Sequence, residues 1–538
     1  MDDHGGVTIE TQPRASLDEA AHHRLQPTGW PRVWAGLSLL TLIVITAIGA
    51  VIRYKGFTSY GVWRDDAWAV LSSRVGIGTA WHMWVTAPGF YLIERTLLVL
   101  GPSGTWWAQL LPFVAGVACI PAIYALARYF TFSRGGGLIL GVLVAASPVC
   151  ATYSTRVKEY PVDFLTACLL IALAERARRR PNPPLLALGL ASVAAFFVSA
   201  SLAPAIVALW LALGVSWFRS GALDRRVVLA ATATAAGCAV VAAVFYTHLS
   251  PQVTHFWDLE GAFITHMSLD NFFLTVNSSA WNLLLGLFGF VQLDAAGRLL
   301  VVLGSLVLSA VGVYRNPPMY GPALIVVGGF AASAAHVAPL GSGRADEYLY
   351  PAILLVLTAG AYRVVALVGR RLRAAPRAAF ASASVVAVAV VAVAGALLYH
   401  EDANAPVYPA EDVTGLATAL DHHIQPGDGI FVSEQMRYPW SLYEDRPPHI
   451  EFGPNWATDF TVVSTQPGVF IVPSEIYERG SQPTVWAQRM RRFRRLWYVN
   501  WYVGGFGSPS YTALLADGWH QVSSITVPGC AAILLERS

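Results

Sequence analysis

The chain has 538 residues, 55% of them hydrophobic and only 13% charged, with a formal net charge of +3 and a mean hydropathy of +0.50. Soluble domains carry roughly a quarter of their residues charged, so this composition excludes an ordinary soluble enzyme and indicates a polytopic α-helical membrane protein. The small net charge, with arginines gathered in short loops instead of a stripe interleaved with aromatics, also excludes a nucleic-acid-binding protein.

Residues 1–31 are polar and contain acids and histidines beside Arg14 and Arg24, which fits a cytoplasmic tail ahead of a retained anchor, not a cleaved signal. A spanning helix needs about 20 apolar residues. By that measure the sequence predicts about eleven transmembrane helices, near 33–53, 105–129, 136–153, 160–177, 183–200, 203–218, 226–247, 298–314, 320–338, 349–368 and 378–399. With the N-terminus inside, the clusters Arg176/Arg178/Arg179/Arg180, Arg219/Arg225/Arg226 and Arg370/Arg371/Arg373/Arg377 all fall on the cytoplasmic side, as topology requires. The apolar run 90–100 contains Glu94 and Arg95 and is too short to span. It is expected to lie at the outer interface, inside a first extracytoplasmic loop, 54–104. The run 281–291 is expected to be interfacial or re-entrant for the same reason.

An odd number of spans places residues 400–538 outside, beyond a transmembrane domain of residues 32–399. Their composition changes, and they read as an extracytoplasmic α/β domain. Helical spacing of Val413, Leu416, Ala417 and Leu420 predicts a helix over 411–423, followed by the turn Gln425-Pro426-Gly427-Asp428-Gly429. Strands are expected at 430–432, 469–472, 496–499 and 531–535, with a helix at 510–517 ended by Gly518.

Three groups of charged residues fall on the predicted outer face. The first is Asp65-Asp66, within Trp63-Arg64-Asp65-Asp66-Ala67-Trp68, followed by Arg74 and His82. The second is Ser154-Thr155-Arg156-Val157-Lys158-Glu159-Tyr160, and the third is Gly343-Arg344-Ala345-Asp346-Glu347-Tyr348. Each alone reads equally as interfacial anchoring. Together they put Arg74, Arg156, Lys158 and Arg344 on the side that topology disfavours for cations, which suggests an anion site. Carboxylates beside several cations at headgroup level suit transfer from a lipid phosphate to an acceptor hydroxyl, with a base taking the proton and Arg or Lys stabilising the departing phosphate. Trp63, Trp68, Trp81 and Trp84 read either as an aromatic belt or as a surface that stacks on a sugar. His248, His255 and His266, near Asp258 and Glu260, match no defined metal-ligand spacing, so no metal site is assigned. Cys119, Cys150, Cys168 and Cys238 lie in or beside apolar runs and Cys530 stands alone, so neither a disulfide framework nor a Cys-x-x-Cys metal site is expected.

The series Asp65-Asp66-Ala67-Trp68, Thr86-Ala87-Pro88-Gly89-Phe90-Tyr91-Leu92, Leu111-Pro112-Phe113-Val114-Ala115-Gly116 and Ser147-Pro148, followed by Arg156 and Tyr160, resembles the GT-C membrane glycosyltransferases. The resemblance is to the glycosyltransferase family 39 or protein-mannosyltransferase-like group, which includes the lipid A aminoarabinose transferases, and it covers most of residues 30–370. It implies a polyprenyl-phosphate-linked sugar as donor and cosubstrate, an envelope glycan, lipid or protein hydroxyl as acceptor, and a place in the cell membrane. It further implies Asp65 and Asp66 as catalytic acids, with Asp65 the base, and Arg156, Arg344, Lys158 and Arg74 as donor-phosphate ligands. His82, Tyr160, Glu159 and Tyr348 are accessory candidates. Many members have Lys or His just before a Pro-Pro-Leu-Tyr-Tyr-like element, where this chain has Thr86-Ala87-Pro88-Gly89-Phe90-Tyr91. The alanine- and arginine-rich composition is compatible with a bacterial source. The competing classes are a transporter or flippase of lipid-linked sugars, and a non-catalytic envelope scaffold or sensor.

Overall fold

Residues 33–52 carry no charge, and in the computed structural model they form the body of one helix, α1 (Pro31–Thr58). The structure describes residues 31–58, 64–78, 87–101, 105–246, 257, 261–264, 268–289, 293–342, 345–371, 412–442, 449–451, 461–464, 466–472, 482–501 and 508–537. After α1 come two short helices, α2 (Arg64–Arg74) and α3 (Pro88–Leu100), and then α4 (Leu110–Tyr129).

The span expected at 136–153 is two helices, α5 (Arg134–Ala146) and α6 (Pro148–Tyr153). Pro148 is the cause. It has no N–H for the Val144 carbonyl, and its ring cannot continue a helix past that carbonyl. Arg53 takes up the freed acceptors, donating from Nη2 to the Val144 carbonyl at 3.0 Å and from Nη1 to the Ala145 carbonyl at 3.1 Å. Ser147 caps α6 by accepting from the Cys150 amide at 3.4 Å.

The bundle continues with α7 (Tyr160–Arg179), α8 (Leu185–Val198), α9 (Ala203–Arg219) and α10 (Arg225–Val241). Asp224 caps α10 by accepting from the Val227 amide at 2.9 Å. Next are α11 (Leu269–Phe288), α12 (Ala295–Val313), α13 (Tyr320–Ala334) and α14 (Tyr350–Arg371). Of the run expected to be interfacial or re-entrant at 281–291, residues 281–288 form the end of α11, a 20-residue helix stopped by Gly289 in the left-handed region, φ 61°.

Six helices among the described residues are long and apolar enough to cross a membrane, against the eleven spans expected. Of the others, α7 has the length but carries Asp163, Glu175 and three arginines, while α5, α8 and α13 are shorter. The run 378–399 lies outside the described residues. Burial sorts the six. The segment 347–367 is 56% buried and 295–313 only 11%, so α14 is central and α12 peripheral. The core joins Ile120 and Ile123 of α4, Phe164 of α7, Leu209 of α9 and Leu354 of α14. Where α12 crosses α14 the backbones touch, and a side chain at Gly312 would meet the Val356 carbonyl at 2.5 Å. Small residues permit such close crossings in membrane bundles.

The C-terminal region is an α/β unit with a five-stranded mixed sheet. Its elements are α15 (Val413–Asp421), β1 (Gly429–Val432), α16 (Arg437–Leu442), β2 (His449–Glu451), β3 (Thr461–Val463), β4 (Val469–Ile471), α17 (Gln482–Met490), β5 (Arg495–Trp501), α18 (Pro509–Ala516), β6 (Trp519–Val527) and β7 (Cys530–Arg537). The sheet order is β4-β1-β5-β7-β6, and β2 pairs with β3 separately. Strands β4, β1 and β5 run parallel, while β7 is antiparallel to β5 and to β6. Strands β1, β4, β5 and β7 sit where the apolar runs predict them. Strand β6 escapes the sequence pattern because its interior residues are mostly exposed and polar.

The sheet unit and the bundle share a core at one end of the molecule. Ala67, Val70 and Leu71 of α2 and Val157 cluster with Leu416, Val432, Tyr438 and Trp497. All six residues of α16 are buried, and the Tyr438 ring lies 5.3 Å from that of Trp68. Thus α2 is packed between the bundle and the sheet unit.

Candidate functional site

Helix α2 begins at Arg64, so Asp65 and Asp66 lie in its first turn, where unpaired backbone N–H groups favour negative charge. Because α2 is covered from both sides, the two carboxylates differ. Asp66 is completely buried and Asp65 is half-buried. Ser72 and Ser73 do not compete for the acids. They bond back along the helix to the Trp68 and Ala69 carbonyls at 2.7 and 2.9 Å.

Opposite Asp66 stands the 154–159 loop between α6 and α7, fixed from three sides. Arg53 Nε donates to Ser154 Oγ at 3.0 Å, Gln109 Nε2 donates to the Thr155 carbonyl at 2.9 Å, and Tyr153 and Tyr160 pack edge to face at 5.1 Å. This brace holds Arg156, 9% exposed, with Nη1 3.8 Å from Asp66 Oδ2. Lys158 is a second positive neighbour of Asp66. Burial pushes the Asp66 carboxyl up to about 6, with Arg156 and then Lys158 pulling it down, Asp65 adding a small upward push and the Val157 amide a small downward one.

A third acid belongs to this site. Glu94, on α3, is 1% exposed. Burial, and after it the charge of the nearby Asp66, raises its carboxyl to about 8. Among the described residues neither Glu94 carboxyl oxygen has a hydrogen-bond partner. The adjacent Arg95 points to the far end of α2, donating to the Ser73 carbonyl at 3.2 Å and to the Val75 carbonyl, and so staples α3 to α2. The sequence signal for Glu94 is an acid inside an otherwise apolar run. It counted there only against a membrane span.

The other expected site residues are scattered. Arg74 is exposed in the last turn of α2, roughly 12 Å along the helix axis from Asp66 at 1.5 Å per residue. Glu159 is half-buried and Tyr160 is buried against Tyr153. Tyr348 is buried in the turn before α14, where Glu347 is 1% exposed and Asp346 fully buried. Arg344 and His82 lie outside the described residues, as do Trp63, Trp81, Trp84 and the histidines 248, 255 and 266. Trp68 is engaged by Tyr438 in the interface with α16. Asp163, in the first turn of α7 and 1% exposed, also went unassigned from sequence. Among the described residues no group of three or more His, Cys, Asp or Glu has the arrangement to hold a metal ion.

Acid and guanidinium within 4 Å, on two separately braced elements, form a preorganised polar centre at the junction of bundle and sheet unit. Such a centre can bind an anionic group and move a proton.

No protein-family model matches the chain, and no curated protein matches it. Among solved structures, the chain is similar to the crystal structure of ArnT from Cupriavidus metallidurans in the apo state, with a TM-score of 0.53 and 13% identity, covering 93% of this chain and 98% of that one. It is likewise similar to ArnT from Cupriavidus metallidurans bound to undecaprenyl phosphate, with a TM-score of 0.52 and 13% identity, covering 94% and 98%. The resemblance read from the sequence therefore holds at the level of the fold, over nearly the full length of both chains.

Proposed function

We propose that this membrane protein is a GT-C glycosyltransferase that moves a sugar from a polyprenyl-phosphate-linked donor to the hydroxyl of an extracytoplasmic envelope acceptor. The observation that carries this reading is the buried Asp66–Arg156 pair, 3.8 Å apart and one residue from the half-buried Asp65. It occurs in a chain that shares its fold with a protein whose structure was solved with undecaprenyl phosphate bound.

In this reading Asp65, the more accessible acid, takes the proton of the acceptor hydroxyl. The acceptor oxygen bonds to the anomeric carbon while the bond from that carbon to the phosphate oxygen breaks, and the polyprenyl phosphate leaves with the electron pair. Arg156 and Lys158 stabilise the charge that grows on that phosphate. Asp66 holds Arg156 in place. Arg344 is assigned to the same phosphate and Arg74 a weaker part, with His82, Tyr160, Glu159 and Tyr348 accessory. The reading further assigns residues 1–31 to a cytoplasmic tail, 32–399 to an eleven-span catalytic domain, and 400–538 to an extracytoplasmic domain. The location of the shared core between α2 and the sheet unit supports placing the acids and the C-terminal domain on the same side of the membrane.

The test is transfer by purified protein from a synthetic polyprenyl-phosphate sugar, with release of polyprenyl phosphate as readout. A transporter or flippase would move such a lipid without cleaving it, and a scaffold would leave it intact.

A further inference from the structure

Two motifs of the sequence, Ser147-Pro148 and the Gly116 that ends Leu111-Pro112-Phe113-Val114-Ala115-Gly116, meet at a buried cation to which the transferase reading assigns no role. Arg53 lies in the membrane-spanning helix α1 and is buried, and a charge there needs full compensation. The break at Pro148 supplies it. The Val144 and Ala145 carbonyls, left without their helical donors, accept from Nη2 at 3.0 Å and from Nη1 at 3.1 Å. The Gly49 carbonyl of α1 accepts a second bond from Nη1 at 3.1 Å. Three carbonyls thus form a receptor for the guanidinium.

A neutral amide could cap the two freed carbonyls, but a guanidinium carries a further donor, Nε, on its other edge. That donor leaves the receptor and reaches Ser154 Oγ at 3.0 Å. Ser154 is fully buried and donates in turn to the Cys150 carbonyl of α6. Gly116 of α4 makes room for it, since a side chain there would collide with Ser154 Oγ. Beyond Ser154 the chain turns tightly, with the Arg156 amide bonded to the Tyr153 carbonyl at 3.3 Å and the Lys158 amide to the Arg156 carbonyl at 2.8 Å. A shift of Ser154 is therefore passed on to Arg156.

We propose that Arg53 is a positioning residue for the phosphate site: seated in the carbonyl receptor that Pro148 opens, it sets through Ser154 where the Arg156 guanidinium stands. The break between α5 and α6 is then part of the site, because a continuous helix would use the Val144 and Ala145 carbonyls itself and leave Arg53 no seat. Lysine cannot replace Arg53. It has one nitrogen in place of three, so it cannot fill the receptor and hold Ser154 together. The effect on transfer rests on the proposed transferase reading, whereas the seating of the loop does not.

The experiment compares wild type, Arg53→Lys and Ser154→Ala, each with and without Arg156→Ala, purified in detergent and matched for folding by thermal unfolding. Ser154→Ala deletes the link and leaves the receptor filled, so it decides the matter even if Arg53→Lys does not fold. Both variants should weaken binding of a synthetic polyprenyl-phosphate sugar and lose about tenfold or more in kcat/KM, the scale of a misplaced contact. In the Arg156→Ala background they should lose nothing further, because residues that act through one contact are not additive. Trypsin should also nick the folded variants after Arg156 or Lys158 faster than wild type, read from the fragment masses. Losses that add in full to that of Arg156→Ala would reduce Arg53 to a structural tie and overturn the proposal, as would wild-type transfer by Ser154→Ala. If wild type itself turns over no polyprenyl-phosphate sugar, the transferase reading fails and the tryptic pattern decides the seating of the loop. Faster nicking in the variants then upholds it, and equal nicking overturns it.

Discussion

The Arg156 guanidinium stands 3.8 Å from the Asp66 carboxylate, linking the braced 154–159 loop to the first turn of α2. Neither residue is held by its own element alone. Arg53 and Gln109 fix the loop, and the packing of Trp68 against Tyr438 fixes the helix. The pair therefore reports on the junction between bundle and sheet unit as well as on chemistry.

Removing Arg156 should affect both donor binding and rate. Arg156→Ala is expected to weaken binding of a polyprenyl-phosphate sugar and to slow transfer further, because the contact must strengthen as the phosphate departs. Arg156→Lys should rescue only in part, since it keeps the charge and loses the planar fork. Arg344→Ala should act in the same direction. Donor affinity measured on folded, detergent-purified variants checks this, and unchanged affinity and turnover in both alanine variants would leave the arginines as headgroup anchors.

Stability should fall as pH rises. In the unfolded chain both carboxyls return to the ordinary range near about 4, whereas in the folded protein Asp66 sits at about 6 and Glu94 at about 8. The folded state thus holds protons that the unfolded chain has already released. Its stability declines from about pH 4 upward, with the Asp66 contribution exhausted above about 6 and that of Glu94 above about 8, at no more than about 1.4 kcal/mol per pH unit for each group. Thermal unfolding of wild type should shift downward between about pH 6 and pH 8, and Glu94→Gln should flatten that slope. A midpoint that rises over this interval would contradict the burial of these two groups.

Docking of the sheet unit should depend on the ring at 438. Tyr438 is fully buried, lies against Trp68 and receives the Arg437 guanidinium 4.3 Å from its ring centre. Truncating such an aromatic costs about 3 kcal/mol or more. Tyr438→Ala should lower the unfolding midpoint, make the C-terminal unit more sensitive to limited proteolysis, and reduce turnover through α2. Proteolysis and turnover matching wild type would show that α2 is held without this contact.

Orientation can be tested independently of activity. Gly76, just past α2, has open space where a side chain would go, and His520 and Ser220 are exposed. In intact cells, Gly76→Cys and His520→Cys should react with an impermeant thiol reagent and Ser220→Cys should not. Labelling of Ser220→Cys from outside would reverse the assigned topology.

Much of the fold is legible in the sequence where one physical signal dominates. Long apolar runs give α1, α4, α9, α10, α12 and α14, and short apolar runs after turn residues give β1, β4, β5 and β7. The break at Pro148 is less visible, because the run stays apolar and the rescue of the Val144 and Ala145 carbonyls comes from Arg53, far away in sequence. Strand β6 has neither alternation nor burial to announce it. At the site, adjacency makes Asp65-Asp66 visible, and placement against the topological bias makes Arg156 visible. Glu94 becomes a neighbour of Asp66 only through the packing of α3 on α2. The unequal burial of Asp65 and Asp66 likewise depends on the sheet unit that covers α2, more than 300 residues away in sequence.

The most direct test of the account is transfer by the purified protein in lipid nanodiscs, with a polyprenyl-phosphate-linked sugar, an envelope acceptor fraction, and the variants Asp65→Asn and Asp66→Asn. Wild type should release free polyprenyl phosphate in step with glycosylated acceptor. Asp65→Asn should bind the donor yet lose about 10²-fold or more of that rate, the scale of a positioned base, and Asp66→Asn should lose rate together with donor affinity through Arg156. Near-normal release by Asp65→Asn, or donor left intact by well-folded wild type, would contradict a transferase built on this pair of acids.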